Sequence, residues 1–380
     1  MPEKGGSDCL RLRQELPLRH ELHLRKEQRF AVVKLSALFA TGALLCGALV
    51  PAMARPVIAV VGENVATELI DFVVPYGILS QSGAADVVAV AARPGVMHLR
   101  PALQIAPQST LESFDAQYPK GADYVVVPAM MFHDRAAETA MLDWITNQSG
   151  KGAVIVSICD GALVVAKTGL LKGHRATGHW ATQSLREHEF PDTQWIRNTR
   201  YVADGQFISS AGVTAAVPLS LALVESIAGT ESATHLANEL GVRDWNPEHD
   251  SEQFHLDAGK YFTAIRNWML LNRDIGISVA DGVNEISLAL TADSYSRTFR
   301  SRALSVAETN GTVRTRNGLV LVPDRVGARH APSRMLTAQD GLLPGQVLDQ
   351  SLCDISALYG RATANFVALQ LEYPTPTNLQ

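Results

Sequence analysis

One stretch constrains this chain more than any other: Val154-Ile155-Val156-Ser157-Ile158-Cys159-Asp160-Gly161-Ala162-Leu163-Val164-Val165-Ala166. A β-branched run stops at Cys159, and Asp-Gly-Ala then opens an apolar pattern of helical character. This is how a buried parallel strand feeding a helix through a tight turn reads. Such a turn lifts its central side chain out at the carboxyl edge of the sheet, beside a helix N-terminus. The positive end of the helix favours thiolate over thiol, so Cys159 reads as a nucleophile. The alternative is a buried structural cysteine, a common fate of free Cys.

A chain of 380 residues with 47% hydrophobic and 19% charged residues is globular and long enough for two or three units. Lys26, Arg29 and Lys34 precede an apolar run from Leu35 to Val50, and Ala52-Met53-Ala54 follows it. Basic n-region, short apolar region and A-x-A site read as a secretory signal peptide over residues 1–54, cut after Ala54. The expected address is periplasmic or secreted, with an uncleaved membrane anchor as the alternative; the run is short for a membrane span. Once cleaved, the chain is expected to have no stable membrane insertion. Leu45 stands before Cys46 where a lipoprotein signal needs a small residue. Cys159 and Cys353 then remain, too few for a disulfide framework or a zinc cluster. Cys353, in Ser351-Leu352-Cys353-Asp354-Ile355, lacks a preceding strand run and reads as structural.

Removing the leader takes away eight basic and five acidic residues from a chain of net charge −5, leaving about −8. That disfavours nucleic acid, whose binding needs a concentrated basic face.

Strands are expected at Pro56–Gly62, Ala85–Ala92, Ala122–Pro128 and Lys151–Ile158, with a weaker strand or hairpin piece at Leu99–Ile105. Helices are expected at Thr67–Gln81, Glu138–Asn147, Gly161–Leu171 and Val213–Ala228. Tyr201–Ala203 and Phe207–Ser209 flank Asp204-Gly205, a hairpin signal. This alternation predicts a doubly wound α/β domain with a mostly parallel sheet over residues 55–228. Residues 229–273 read as a helical linker, in which Tyr261, Trp268 and Met269 fall at the spacing of core residues. From 274 to 380 the chain echoes its first half. Ile58-Ala59-Val60-Val61 is matched by Ile275-Gly276-Ile277-Ser278, Glu68-Leu69-Ile70 by Asn284-Glu285-Ile286, and Ala102–Pro107 by Gly318–Pro323. The pattern is a degenerate half-repeat without a second cysteine elbow. An incomplete sheet has an open edge, so the half-repeat is expected to dock on its own domain or to support a homodimer.

Three motifs carry a family resemblance: Ser157-Ile158-Cys159-Asp160-Gly161-Ala162, Thr168-Gly169-Leu170-Leu171-Lys172-Gly173 and Ala176-Thr177-Gly178-His179-Trp180. Together they resemble the ThiJ/PfpI superfamily, most closely the class I glutamine-amidotransferase-like module of AraC-type regulators and of isonitrile hydratase. Leu69–Pro75 matches the acidic position on that family's first helix, and Trp245–Phe254 resembles the segment that follows the module in the regulators. The resemblance covers roughly residues 56–255 and implies a flavodoxin-like fold. It further implies that Asp71 approaches the Cys159 sulfur as a proton donor or shuttle and that His179 stands at a strand end as a proton acceptor or thiolate stabiliser. The backbone N–H groups of Asp160 and Ala129, with Met130 beside them, would hold a developing oxyanion and the substrate. The chain departs from the family at Pro128-Ala129-Met130, where Pro-Gly-Gly is usual, at Asp160, and at Gly77, where the regulators carry Glu.

No cofactor or metal is implied: His174 and His179 lack a third ligand, and there is no phosphate-binding glycine loop. The regulators' DNA-reading helix-turn-helix pair should follow Phe254, and an apolar helix and the half-repeat stand there instead. Two functions follow as expectations. One is an exported cysteine-dependent hydrolase or hydratase of a small carbon–nitrogen or carbonyl compound. The other is a non-enzymatic ligand- or redox-sensing module derived from a regulator.

Overall fold

A computed structural model describes residues 55–132, 134–270, 273–327, 332, 334–336 and 341–375. The leader, residues 1–54, lies outside the described residues. Strand β1 (Val57–Gly62) leads into helix α1 (Leu69–Gln81), then β2 (Asp86–Ala91) and the hairpin β3 (Met97–Arg100) and β4 (Gln104–Ala106). The short β5 (Ser109–Thr110), β6 (Tyr124–Val127), α2 (Arg135–Gly150), β7 (Val154–Ser157) and α3 (Gly161–Lys167) follow. The hairpin expected at Asp204-Gly205 is formed by β8 (Tyr201–Asp204) and β9 (Phe207–Ser210), before α4 (Ala216–Ala228).

These strands make one seven-stranded sheet in the order β8-β9-β7-β6-β1-β2-β5, parallel throughout except for β8. Period-two alternation sends Ile58 and Val60 of β1 to one face and Ala59 and Val61 to the other, so both faces are buried. The chain is doubly wound, as its pattern predicts. The first face carries α1 and α4, the second α2 and α3.

The segment after α4 is not a loose connection. Helix α5 (Thr230–Leu240) buries Ala233, Leu236, Ala237 and Leu240. Trp245 Nε1 donates to Glu225 Oε2, and the Arg200 amide donates to the carbonyl of Pro247. Helix α6 (Ala258–Met269) departs from expectation: Tyr261, Trp268 and Met269 are exposed rather than core.

The half-repeat is formed by β10 (Arg273–Ser278), α7 (Glu285–Ser296), β11 (Ser301–Ala307), β12 (Val313–Arg314), β13 (Val320–Leu321), α8 (Pro344–Tyr359) and α9 (Arg361–Leu371). Six residues separate β1 from α1 and six separate β10 from α7, with Glu68 and Asn284 as the two N-caps. The strand echo is therefore shifted by one position from the match of Ile58 to Ile275. In β10 and β11 the strands are parallel, as in the first half.

The two halves share one core through two contacts. Helices α1 and α7 cross closely because Gly77 has no side chain: a Cβ there would sit 2.7 Å from Ile286 Cγ1. This accounts for glycine at a position where the helix would otherwise disfavour it. Strands β4 and β13 pair antiparallel, with Ile105 opposite Leu321 and Ala106 opposite Val320. Ile105 and Leu321 are also the positions matched in the sequence echo. The repeats therefore meet around an approximate two-fold axis, and the half-repeat docks within the chain. Among the described residues no helix is long and apolar enough to cross a membrane.

Candidate functional site

The elbow forms as its sequence demands. Strand β7 ends at Ser157, and Cys159 takes φ +56°, a left-handed conformation costly for a side chain of its kind. Its N–H donates to the carbonyl of Ala211 at 3.2 Å. Gly161 is obligatory two residues on, since a Cβ there would lie 2.0 Å from the carbonyl oxygen of Val127. That close approach packs α3 against β6 and fixes the turn.

Asp71 is fully buried in the first turn of α1, beneath this elbow. Its Oδ2 accepts the Ala129 N–H at 3.0 Å, while Oδ1 is buried with no hydrogen-bond partner. Desolvation pushes its carboxyl up to about 8, against the Ala129 hydrogen bond and the Arg297 charge, which lower it. Because Oδ2 already accepts, a proton on Asp71 belongs on Oδ1.

Glu68 caps the same helix. Its Oε2 accepts the Asp71 N–H at 2.6 Å, and its Oε1 lies 2.5 Å from Arg297 Nη2. Arg297, just past the end of α7, also pairs with Asp293. Burial first, then the Asp71 and Asp293 carboxyls, push Glu68 up, while Arg297 pulls it down. Glu68 and Asp293 thus share one largely buried guanidinium, whose charge also reaches Asp71. The equivalent positions of the other half are neutral: Asn284 stands for Glu68, Ser287 for Asp71 and Gln81 for Arg297.

The environment reverses one expectation about Cys159. Burial pushes its thiol well above the ordinary value, as do the charges of Asp71, Asp160 and Glu68, against the Asp160 backbone hydrogen bond and the nearby Arg297 and Arg186 charges, which lower it. Helix α3 has seven residues, and its dipole does not outweigh three acids in a desolvated site. These causes together favour the thiol over the thiolate.

The two expected oxyanion donors differ. The Asp160 N–H faces the sulfur, whereas the Ala129 N–H is taken by Asp71. Met130 is partly buried, packed against the core on the α2 and α3 side of the sheet. Its neighbours hold the segment in place: the Glu68 N–H donates to the Ala129 carbonyl at 2.8 Å and the Met131 N–H to the Ala66 carbonyl at 3.0 Å. The Asp160 carboxylate accepts Thr182 Oγ1 at 2.5 Å and lies 3.8 Å from the buried Arg186.

His179 is a satisfied histidine. Its Nδ1 accepts the Ala181 N–H and its Nε2 faces the Gln370 carbonyl, each at 3.2 Å, which selects the neutral Nε2–H tautomer. Desolvation lowers its pKa further. Both nitrogens are thus committed to main-chain groups rather than to the Cys159 sulfur.

Cys159 opens into a cavity of about 310 Å³. Glu68, Ala129, Asp160 and His179 line it from the first half, and Arg297, Phe366, Leu369 and Gln370 from the second. Val213, Trp180, Ala181 and Leu256 complete mostly apolar walls. The end of α9 is clamped there: Trp180 Nε1 donates to the Leu369 carbonyl at 3.1 Å, and Gln370 Nε2 to the Arg297 carbonyl at 2.9 Å. Just beyond, Glu372 is buried against His249 at 2.7 Å. Among the described residues no group of three or more His, Cys, Asp or Glu could hold a metal.

Residues 57–226 match the model of the DJ-1/PfpI family. They are a DJ-1/PfpI domain. The chain is similar to the HTH-type transcriptional regulator CdhR of Pseudomonas aeruginosa, with 28% identity over 137 residues, 36% of this chain and 40% of that protein. It is similar to isonitrile hydratase of Pseudomonas putida, with 36% identity over 93 residues, 24% of this chain and 39% of that protein. It therefore spans about two fifths of the length of each. The crystal structure of Drosophila melanogaster DJ-1beta superposes with a TM-score of 0.44 and 23% identity, covering 50% of this chain and 100% of that one.

At this site, sequence reasoning places Cys159, Asp71 and Asp160 together and misses Glu68, from the DJ-1/PfpI domain, and Arg297 and Gln370, from the second half. Glu68 carries a readable signal, an acid three residues before Asp71 at a helix start. Arg297 and Gln370 carry none, because their place depends on how the halves pack.

Proposed function

We propose that this chain is an exported, cysteine-dependent hydrolase or hydratase of a small, neutral carbon–nitrogen or carbonyl compound. The observation that carries the reading is a left-handed Cys159 elbow at the wall of an apolar cavity, backed by a buried Asp71 whose Oδ1 has no partner. The Cys159 sulfur attacks the electrophilic carbon, and the thiol proton passes to the Asp71 carboxylate. The Arg297 guanidinium and the Asp160 N–H offset the negative charge that develops in the cavity. Asp71 hands that proton to the substrate, to the departing nitrogen of an amide or the carbon of an isonitrile. Water then attacks the carbon bound to sulfur, its proton passing to Asp71 and on to the sulfur as that bond breaks. The leader supports export, and the mostly apolar walls support a neutral substrate.

Turnover of a panel of small amides, aldehydes and isonitriles tests the reading. Activity lost in both Cys159→Ser and Asp71→Asn is expected, with a wild-type rate that rises through about pH 8 as Asp71 ionises. Absence of turnover across the panel, or turnover indifferent to Cys159→Ser, rejects it. N-terminal sequencing of the protein recovered from a periplasmic fraction tests export.

One observation favours the second reading, a ligand-sensing module: the Ala129 N–H is committed to Asp71 and leaves one backbone donor for an oxyanion. Saturable binding of a panel compound without turnover would select it.

A further inference from the structure

Helix α6 is inside out. Its inward residues are polar: Asn267 is 0% exposed, and its Nδ2 donates to the Thr298 carbonyl at 3.0 Å and to Thr363 Oγ1 at 3.1 Å. Thr263, one turn earlier, is buried on the same side. Its outward residues are Tyr261, Phe262, Ile265, Trp268 and Met269, with Trp268 77% and Met269 74% exposed. Leu256 just before the helix and Leu270 just after it are exposed as well. Seven of the thirteen exposed large hydrophobics among the described residues therefore lie within residues 256–270. An amphipathic helix on a soluble surface turns its apolar side inward. Here the satisfied amide of Asn267 holds the opposite orientation, so the apolar stripe is offered to something outside the fold.

We propose that this face docks on an anionic lipid bilayer, with α6 lying in the plane of the interface. Tyr, Trp, Phe and Met on one side of the helix, with exposed Arg266 on it and exposed Arg273 opening β10 just beyond it, are the composition of an interfacial helix. Trp and Tyr favour the headgroup level, and the arginines attract anionic headgroups. A second copy of the chain fits less well: seven side chains on one convex helix fall far below the roughly 20–30 residues a side of a stable dimer. Leu256, exposed two residues before the helix, also lines the Cys159 cavity, so docking of the helix brings that cavity close to the bilayer. The inference is independent of the chemistry of Cys159.

The test uses the full chain and Trp268, the exposed member of its five tryptophans. Vesicles of phosphatidylethanolamine and phosphatidylglycerol with brominated acyl chains are added to wild type and to Trp268→Phe, and the difference in emission is read. The Trp268 component is expected to move to shorter wavelength and to lose about half its intensity. Arg266→Gln with Arg273→Gln is expected to reduce that response several-fold at low salt and little at high salt, where screening has already weakened it. Because bromine quenches at acyl depth, a chain held to the vesicle only by its leader leaves Trp268 in water, and an unchanged emission overturns the proposal. So does a shift that appears without lipid and grows with protein concentration, which would report a second copy.

Discussion

Arg297 and Glu68 lie 229 residues apart in sequence and 2.5 Å apart in space, so the C-terminal half supplies the cation of a site whose cysteine belongs to the first half. This pair ties the docking of the two halves to the charge state of the Cys159 pocket.

Breaking that pair by Arg297→Met leaves Glu68 and Asp293 buried without their cation. A loss of about 3–5 kcal/mol in urea unfolding is expected. Adding Glu68→Gln to Arg297→Met should recover part of it, because one uncompensated charge is removed. A single-variant loss below about 1 kcal/mol, the size of an exposed pair, would show that the contact is not desolvated.

Iodoacetamide labelling of Cys159 should reach half its maximal rate above about pH 8.5, the value of an ordinary thiol. Burial and the Asp71, Asp160 and Glu68 charges all act in that direction. Asp71→Asn removes one of these charges and should bring the midpoint down. A wild-type midpoint below that of a free thiol would mean that the helix end and the Asp160 N–H dominate after all.

Asp71 also predicts how stability depends on pH. Its folded pKa of about 8 stands above its unfolded value, so the folded state binds more protons between about pH 4 and 8. Its contribution is fully present at acid pH and is lost as pH rises through 8. Asp71→Asn should flatten the decline across this window, a relative gain on the order of a few kcal/mol at alkaline pH. Urea midpoints of both proteins at pH 5, 7 and 9 measure this, and parallel curves would place the titration elsewhere.

Gly77→Ala should destabilise by about 1–3 kcal/mol, because the new Cβ meets Ile286 Cγ1 at 2.7 Å in a packed helix crossing. The helix preference for alanine works the other way but is worth only about 1 kcal/mol. Gly150→Ala, which meets nothing within 4 Å at the end of α2, should be neutral or stabilising in the same assay. Equal effects at both sites would remove Gly77 from the seam.

The legible parts of this protein are those set by local sequence. The β-branched run before Cys159 fixes a buried strand, and Asp-Gly after it fixes the elbow. The match of Ala102–Pro107 with Gly318–Pro323 marks the two segments whose strands pair across the halves. What escapes is whatever depends on partners. A family position shows where Asp71 sits, but not that its carboxyl takes the Ala129 amide. The spacing of Tyr261, Trp268 and Met269 identifies an apolar stripe without saying whether protein covers it. His179 is a good residue type at a good spacing, and two main-chain groups consume both nitrogens.

The pairing of Ile105 with Leu321, each opposite its own counterpart, has a kinetic consequence. Were the two halves separate molecules, Arg297 would meet Glu68 only after a bimolecular encounter, and dilution would dismantle the cavity. Joined by one chain, the encounter is first order and independent of protein concentration. The architecture therefore remains assembled however dilute the protein becomes. The two halves are free to differ in what they carry: Ser287 and Asn284 stand in the second where Asp71 and Glu68 stand in the first.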